Sequence, residues 1–332
     1  MSFLKISEKI VLNKLKKIKN GNLKLINYDG KVFHFGSLES NLSADIKINN
    51  PKFYFNIISG GSSALGEAHM NRDFYTSNLT NLIEISAKNI ELVYSFSGSL
   101  KIKKIKNFFK SMFASNTKSK SLQYISKHYD LGNNFFSKWL DKTLTYSSAV
   151  YENENDSLEI AQKNKYQKLI DLLNVKDGNK VLEIGCGWGG FSEYLAKNYN
   201  VSIDCITISK KQFEFTKKRI SDAGLDNKVN VLFLDYRDLQ DKYDNIVSIE
   251  MIEAVGENYL GKYFETIKKS LNKDGSAALQ GITIRDDLFD RYKRSEDFIQ
   301  KYIFPGGFLP SVNLVNALIK KNKLNLVNVD FC

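Results

Sequence analysis

"VLEIGCGWGGFSEYL", Val181 to Leu195, runs a short apolar, strand-like segment into a turn holding Gly185, Gly187, Gly189 and Gly190, then into a helix-like stretch. Glycines in such a turn mean that backbone must approach something closely, because no Cβ stands in the way. The alternation repeats downstream: "VSIDCITIS" (201–209), "KKQFEFTKKRISDAG" (210–224), "VNVLFLD" (229–235), "YDNIVSIEMI" (243–252) and "GSAALQGITI" (275–284). Strand, turn and helix in succession predict an α/β fold with a doubly wound, Rossmann-like parallel sheet whose carboxyl edge binds the ligand. The glycines alone leave a dinucleotide site open. The G-x-G-x-G spacing, and the absence of an acidic residue in "TISKKQ" (207–212) after the second strand, favour S-adenosylmethionine (SAM) over NAD; Asp204 lies inside that strand, too early to hold an NAD ribose. The bland alternative is a packing turn with no ligand.

The 332 residues suffice for two domains, and 42% hydrophobic with 26% charged content is that of a globular chain. No apolar run reaches the roughly 20 residues of a membrane span. The N-terminus "MSFLKISEKIVLNKLKKIKNG" has charges throughout and reads as an amphipathic helix, not a signal peptide. Cys186, Cys205 and Cys332 form neither a disulfide framework nor, with His34, His69 and His128, a zinc pattern, so a reducing cytoplasm and no metal are expected.

Residues 1–92 alternate short strand-like runs, "LKLINYDG", "VFHFG" and "ADIKINN", with turn signals at Asp29-Gly30 and Gly60-Gly61, which predicts a small α+β domain. Residues 93–123 are rich in lysine and serine and read as a basic connector, leaving 124–332 for the sheet domain. Much of the net charge of +11 lies in the first 120 residues, in runs such as "KLKKIK" and "KIKKIKNFFKSMFASNTKSK". Nucleic acid, anionic lipid and a merely solvated surface all satisfy that charge. Phe108, Phe109 and Phe113 among the lysines favour a membrane surface.

Six segments in order, "HYDLGNNFFSKWLDKTLTYSSAVY" (128–151), "VLEIGCGWGGF", "TISKKQ", "LDYRDL" (234–239), "IVSIEMIEAVGENY" (246–259) and "DFIQKYIFPGGFLPS" (297–311), resemble the cyclopropane-fatty-acyl-phospholipid synthases and the related mycolic acid enzymes. The resemblance runs from about Gly21 to Cys332, and "GEAHMNRDFYTSNL" (66–79) looks like the extra domain of the phospholipid-acting members. It implies a class I SAM-dependent methyltransferase that adds the methyl carbon of SAM to a cis double bond of an unsaturated phospholipid. Such an enzyme would be cytoplasmic, peripheral on the inner face of the cytoplasmic membrane, drawn to anionic lipid and able to pair as a homodimer.

By the same resemblance, SAM would lie over the turn Gly185, Cys186, Gly187, Trp188 and Gly189, with Tyr146 and Ser147 closing from the preceding loop. Thr207 and Gln212 would sit beside the ribose, where an amide can both donate and accept. Tyr236 and Arg237 would meet the adenine, although Arg237, between Asp235 and Asp238, also reads as a surface ion pair. The family removes a proton from the transferred methyl with a bound bicarbonate. Its grip maps onto Glu253, onto Gln280 in place of a histidine, onto Ser148 in place of a cysteine, and onto the backbone of Ile282; the family's tyrosine has no counterpart, and Tyr302 does not inherit that role. Glu253 also reads as an acid favouring a helix dipole, and Glu250 fits that reading as well. Glutamine carries no charge, so bicarbonate should be held less firmly, and a methylene or methyl-branched product becomes the alternative to a ring.

An RNA methyltransferase is disfavoured because neither an "NPPY"-type tetrapeptide nor an RNA module is present, so no nucleic acid partner is expected. A catalytically inactive lipid-binding homologue is the other alternative. The end, "LNLVNVDFC", reads as a strand, while relatives continue further; the expectation is a truncated chain with an exposed sheet edge.

Overall fold

A computed structural model describes residues 3–60, 63–96, 132–294 and 296–331. The lysine-rich stretch 101–120 with Phe108, Phe109 and Phe113, together with Gly61, His128 and Cys332, lies outside them. The described residues divide into two units: 3–60, 63–96 and the segment Arg294–Lys301 form one, and 132–293 with 302–331 form the other.

The first unit carries strands β1 (Asn22–Ile26), β2 (Val32–Gly36), β3 (Ser43–Ile48) and β4 (Phe74–Tyr75) in the order β2-β1-β3-β4. Helices α1 (Phe3–Leu15), α2 (Lys52–Gly60), α3 (Ser63–Met70), α4 (Leu79–Lys88) and α5 (Ile90–Phe96) accompany them. The amphipathic N-terminus is α1, which turns Ser7 and Val11 inward. Period-2 alternation in β3 buries Ala44, Ile46 and Ile48 against Leu23 and Leu25 of β1. The segment Arg294–Lys301 belongs here by packing: the Phe298 ring fills the space a Cβ on Gly66 would need, and Lys301 Nζ lies 2.6 Å from Glu67. Nothing in its local sequence marks it as part of this unit.

The second unit is built on five parallel strands, β5 (Lys180–Ile184), β6 (Ser202–Thr207), β7 (Val229–Phe233), β8 (Tyr243–Ile249) and β9 (Leu271–Gln280), in the order β7-β6-β5-β8-β9. Helices α6 (Asn133–Phe136), α7 (Leu158–Leu173), α8 (Gly190–Asn198), α9 (Lys210–Asp222), α10 (Ile252–Val255), α11 (Leu260–Ser270), α12 (Asp286–Lys293) and α13 (Val312–Lys321) join and cover them. Central β5 is covered on both faces, which is why Val181, Leu182 and Ile184 are all buried and its apolar residues do not simply alternate. Strand order reverses between β5 and β8, and ligands of such sheets bind at the carboxyl ends of the strands there.

Two expectations need correcting. "LNLVNVDFC" does not form a strand: residues 324–331 make no ladder, and Val327 is 95% exposed. The sheet ends on β9 among the described residues. That strand also starts four residues before "GSAALQGITI" and stops at Gln280, so Ile282 lies past the sheet.

Glu183 interrupts the apolar run of β5 and is buried, with its carboxyl accepting from the Ser192 hydroxyl of α8. Burial pushes its pKa up to about 7. As pH rises from the ordinary carboxylate value towards 7, the unfolded chain releases a proton that the folded chain keeps, so folding weakens over that window. Glu183→Gln is therefore expected to raise the melting temperature at pH 8, by an amount equivalent to about 2 kcal/mol, and to change it little at pH 4.5. Thermal denaturation at both pH values measures this; an equal effect at each would refute it.

Candidate active site

The glycine turn leaves β5 with its backbone held to β6: Gly185 N and Cys186 N both donate to Ile206 O at 3.0 Å. Its glycines serve different ends. A Cβ on Gly185 would fall 2.4 Å from the Met251 side chain, and one on Gly189 would fall 2.5 Å from Thr216. At Gly187, with φ +53°, a Cβ would meet nothing within 4 Å. Gly187 thus faces open space at the strand edge, and it is the one of the three that no neighbouring side chain requires to be glycine. Cys186 is buried, its thiol pushed up in pKa by hydrogen bonding to Cys205 and by burial. Trp188 is buried too, donating through Nε1 to Asn133 Oδ1 at 2.9 Å and lying against Phe136 at 4.9 Å between ring centroids.

The loop ahead of α7 is brought to the same edge by side chains that local sequence patterns do not announce. Arg219 of α9 donates to Thr143 O at 2.6 Å, Lys142 O at 2.9 Å and Trp188 O at 2.9 Å, tying loop to turn. Gln162 Nε2 donates to Ser147 O at 2.8 Å. Lys165 is almost wholly buried and donates to Ser147 Oγ and, at 2.9 Å, to Ser148 O; burial lowers its pKa to about 8. Tyr146 is half-buried, with Phe136 and Trp139 each 5.3 Å away and Phe304 at 6.3 Å.

Thr207 and Gln212 meet each other: the Thr207 hydroxyl donates to Gln212 Oε1 at 2.9 Å, and both are buried. Gln212 stands three residues after Ser209, whose hydroxyl accepts from Gln212 N, so a helix N-cap explains its place. Arg237 forms a two-pronged pair with Asp235, Nε to Oδ1 at 2.8 Å and Nη2 to Oδ2 at 2.6 Å. With side-chain exposures of 9% and 11% it is not a surface pair. Its guanidinium lies over the rings of Tyr236 and Tyr259, and Tyr236 packs edge-on against Tyr263.

The acid-bearing end of the site lies past β8 and β9. Glu253, in the first turn of α10, accepts from Ile282 N through Oε1, while Oε2 is buried without a hydrogen-bond partner. Burial is the main cause pushing its pKa up to about 7, with the charge of Glu250 adding to it. A four-residue helix has little dipole to offer, so the helix end by itself does not account for the unpartnered Oε2. Glu250, which the sequence offered only as a second helix-dipole acid, accepts through Oε1 from Ser148 N at 2.8 Å, Ser148 Oγ at 2.9 Å and Gln280 Nε2 at 3.3 Å. Gln280 Nε2 also lies 2.8 Å from Ser148 Oγ, and Gln280 Oε1 is buried and unpartnered. The cause is a backbone turn at Glu250 with φ +49°, which no local residue pattern signals.

These groups do not suit a bound bicarbonate. An anion needs donors, and those of Ile282, Ser148 and Gln280 are already taken by Glu253 and Glu250. The atoms left over, Glu253 Oε2 and Gln280 Oε1, are acceptors whenever the carboxyl is ionised. Among the described residues no cluster of three His, Cys, Asp or Glu could hold a metal, and no helix is long and apolar enough to cross a membrane.

A five-stranded parallel sheet in this order, with a glycine cradle at the end of its central strand, defines an enzyme of the class I SAM-dependent methyltransferase fold. Residues 116–331 match the profile of mycolic acid cyclopropane synthetase, and the chain belongs to that family. It is 36% identical over 286 residues to the cyclopropane-fatty-acyl-phospholipid synthase of Escherichia coli, covering 84% of this chain and 70% of that one. It is 32% identical over 262 residues to the tuberculostearic acid methyltransferase UfaA1 of Mycobacterium tuberculosis, covering 77% and 61%. Among solved structures, the cyclopropane synthase MmaA2 of Mycobacterium tuberculosis matches with a TM-score of 0.58 at 30% identity, over 62% of this chain and 76% of that one. The mycolic acid cyclopropane synthase CmaA1, complexed with SAH and CTAB, matches with 0.57 at 29% identity, over 60% and 74%.

Proposed function

We propose that this enzyme transfers the methyl carbon of SAM to the cis double bond of an unsaturated phospholipid acyl chain and closes a cyclopropane ring. The observation that carries the reading is the unpartnered, buried Glu253 Oε2, in a unit whose other notable opening is the bare backbone at Gly187. SAM, when bound, supplies an electrophilic methyl carbon. Gly187 would let it approach the backbone, and Tyr146 would close over it. Methyl transfer to the alkene would break the S–CH3 bond, its electron pair staying on sulfur, and leave the acyl chain with the positive charge; aromatic faces such as those of Trp139 and Tyr146 favour a cation. The electron pair of one methyl C–H bond then forms the third ring bond, and the proton passes to Glu253 Oε2, a carboxyl group whose pKa of about 7 suits a base at neutral pH.

The similarity to the phospholipid-acting relative supports the phospholipid over other lipids. The net charge of +11 supports docking on an anionic membrane surface, expected to strengthen with anionic lipid and weaken with salt in vesicle sedimentation. Equal binding to neutral and anionic vesicles would count against that part. A second reading, a methylene or methyl-branched product, draws on the similarity to UfaA1. Incubation with methyl-labelled SAM and monounsaturated phospholipid vesicles is expected to put label in the fatty acids, with a mass gain of one CH2 per chain. Chemistry on the product's double bond separates ring from methylene, and label absent from lipid would sink the transferase reading.

A further inference from the structure

Glu250 combines three unusual facts. It is a non-glycine residue at φ +49°, a backbone conformation that side chains with a Cβ adopt at a cost and that collects at functional sites. All three of its carboxylate hydrogen bonds fall on one oxygen, from the Ser148 amide, the Ser148 hydroxyl and the Gln280 amide. Those are two of the residues whose positions in the chain correspond to an anion grip, and their donors are spent on a side chain of the protein itself. Ser148 is exposed, so a small anion from solvent would reach the place if the carboxylate were not there.

We infer that Glu250 is the built-in anion of this site: its carboxylate occupies the donors of Ser148 and Gln280 that would otherwise hold an exchangeable bicarbonate, and the enzyme therefore works without one. The inference rests on the methyl-transfer reading and deepens it. In that reaction Glu250 is a positioning residue. Its fixed negative charge favours the cationic acyl chain and, by repulsion, raises the proton affinity of neighbouring Glu253, which takes the proton directly. No further reactant is required: the methyl proton ends on Glu253, and exchange with water restores the carboxylate. Buried Lys165, donating to Ser148 O, holds the same loop in place.

The test uses the full chain and two variants. Wild-type turnover in buffer stripped of carbon dioxide is expected to match turnover with added bicarbonate. Glu250→Gly suits the positive φ, so its melting temperature should equal or exceed that of the parent. It should lose on the order of 10²-fold in turnover without bicarbonate and recover most of it as bicarbonate is added, because the vacated donors can now bind the ion. Glu250→Gln keeps the place filled without charge, and bicarbonate should not rescue it. Titration of 13C-labelled bicarbonate followed by NMR needs no turnover: binding is expected to Glu250→Gly and not to the wild type. Wild-type activity that depends on bicarbonate, bicarbonate binding to the wild type, or Glu250→Gly turnover that bicarbonate leaves unchanged would each overturn the inference. Failure of the wild type to label lipid strikes the methyl-transfer reading instead, and the NMR titration still decides whether Glu250 fills the anion's place.

Discussion

Gly187→Val is expected to remove SAM binding, raising Kd by more than about 100-fold, while leaving the chain folded; about 2.7 kcal/mol of binding free energy corresponds to that change. The folded chain itself offers no obstacle, since a Cβ at position 187 would meet nothing within 4 Å. The effect comes from two sources: the side chain fills the space that backbone leaves for the ligand, and a β-branched residue is strained at φ +53°. Gly189→Ala is the contrasting case. Its Cβ would press on Thr216 at 2.5 Å with φ +81°, so the loss should appear first in the melting temperature. Calorimetric titration with SAM beside thermal denaturation distinguishes the two. If Gly187→Val binds SAM like the parent, the cradle lies elsewhere.

Glu253→Gln is expected to lower kcat by about 10²- to 10⁴-fold, the usual worth of a positioned acid or base, with Kd for SAM unchanged. The amide keeps the shape and can still accept from Ile282 N, so the fold should survive. Because burial pushes the Glu253 carboxyl up to about 7, the parent needs pH above that value to hold it in the basic form. Parent turnover should therefore fall as pH drops through 7, and the residual activity of the variant should lack that limb. Added bicarbonate should not restore it. Parent-like turnover in the variant would return Glu253 to the standing of a helix-end acid.

The parallel sheet was legible because its evidence is local. The apolar run of β5, the alternation of strand and helix segments, and the glycine density after the first strand all follow from burial on both faces and from sharp turning at the strand end. The resemblance put Gln212 beside a ribose, and the structure adds that its backbone N–H donates to the N-cap Ser209. Less legible was the division of labour inside the glycine turn, where Met251 and Thr216 demand two of the glycines from positions distant in the chain. The terminal segment misled for the same reason: alternating apolar residues at 324–331 have strand character, but a strand exists only where a neighbour pairs with it, and none does there.

The amino-acid order by itself therefore determined the class of fold and the glycine-bearing strand edge, since each rests on patterns a few residues long. Only the tertiary structure decided that Glu250 meets Ser148 and Gln280. That contact joins residues 102 and 30 positions apart through a positive-φ turn, and a hydrogen bond depends on where backbones bring its donors, which no short pattern encodes.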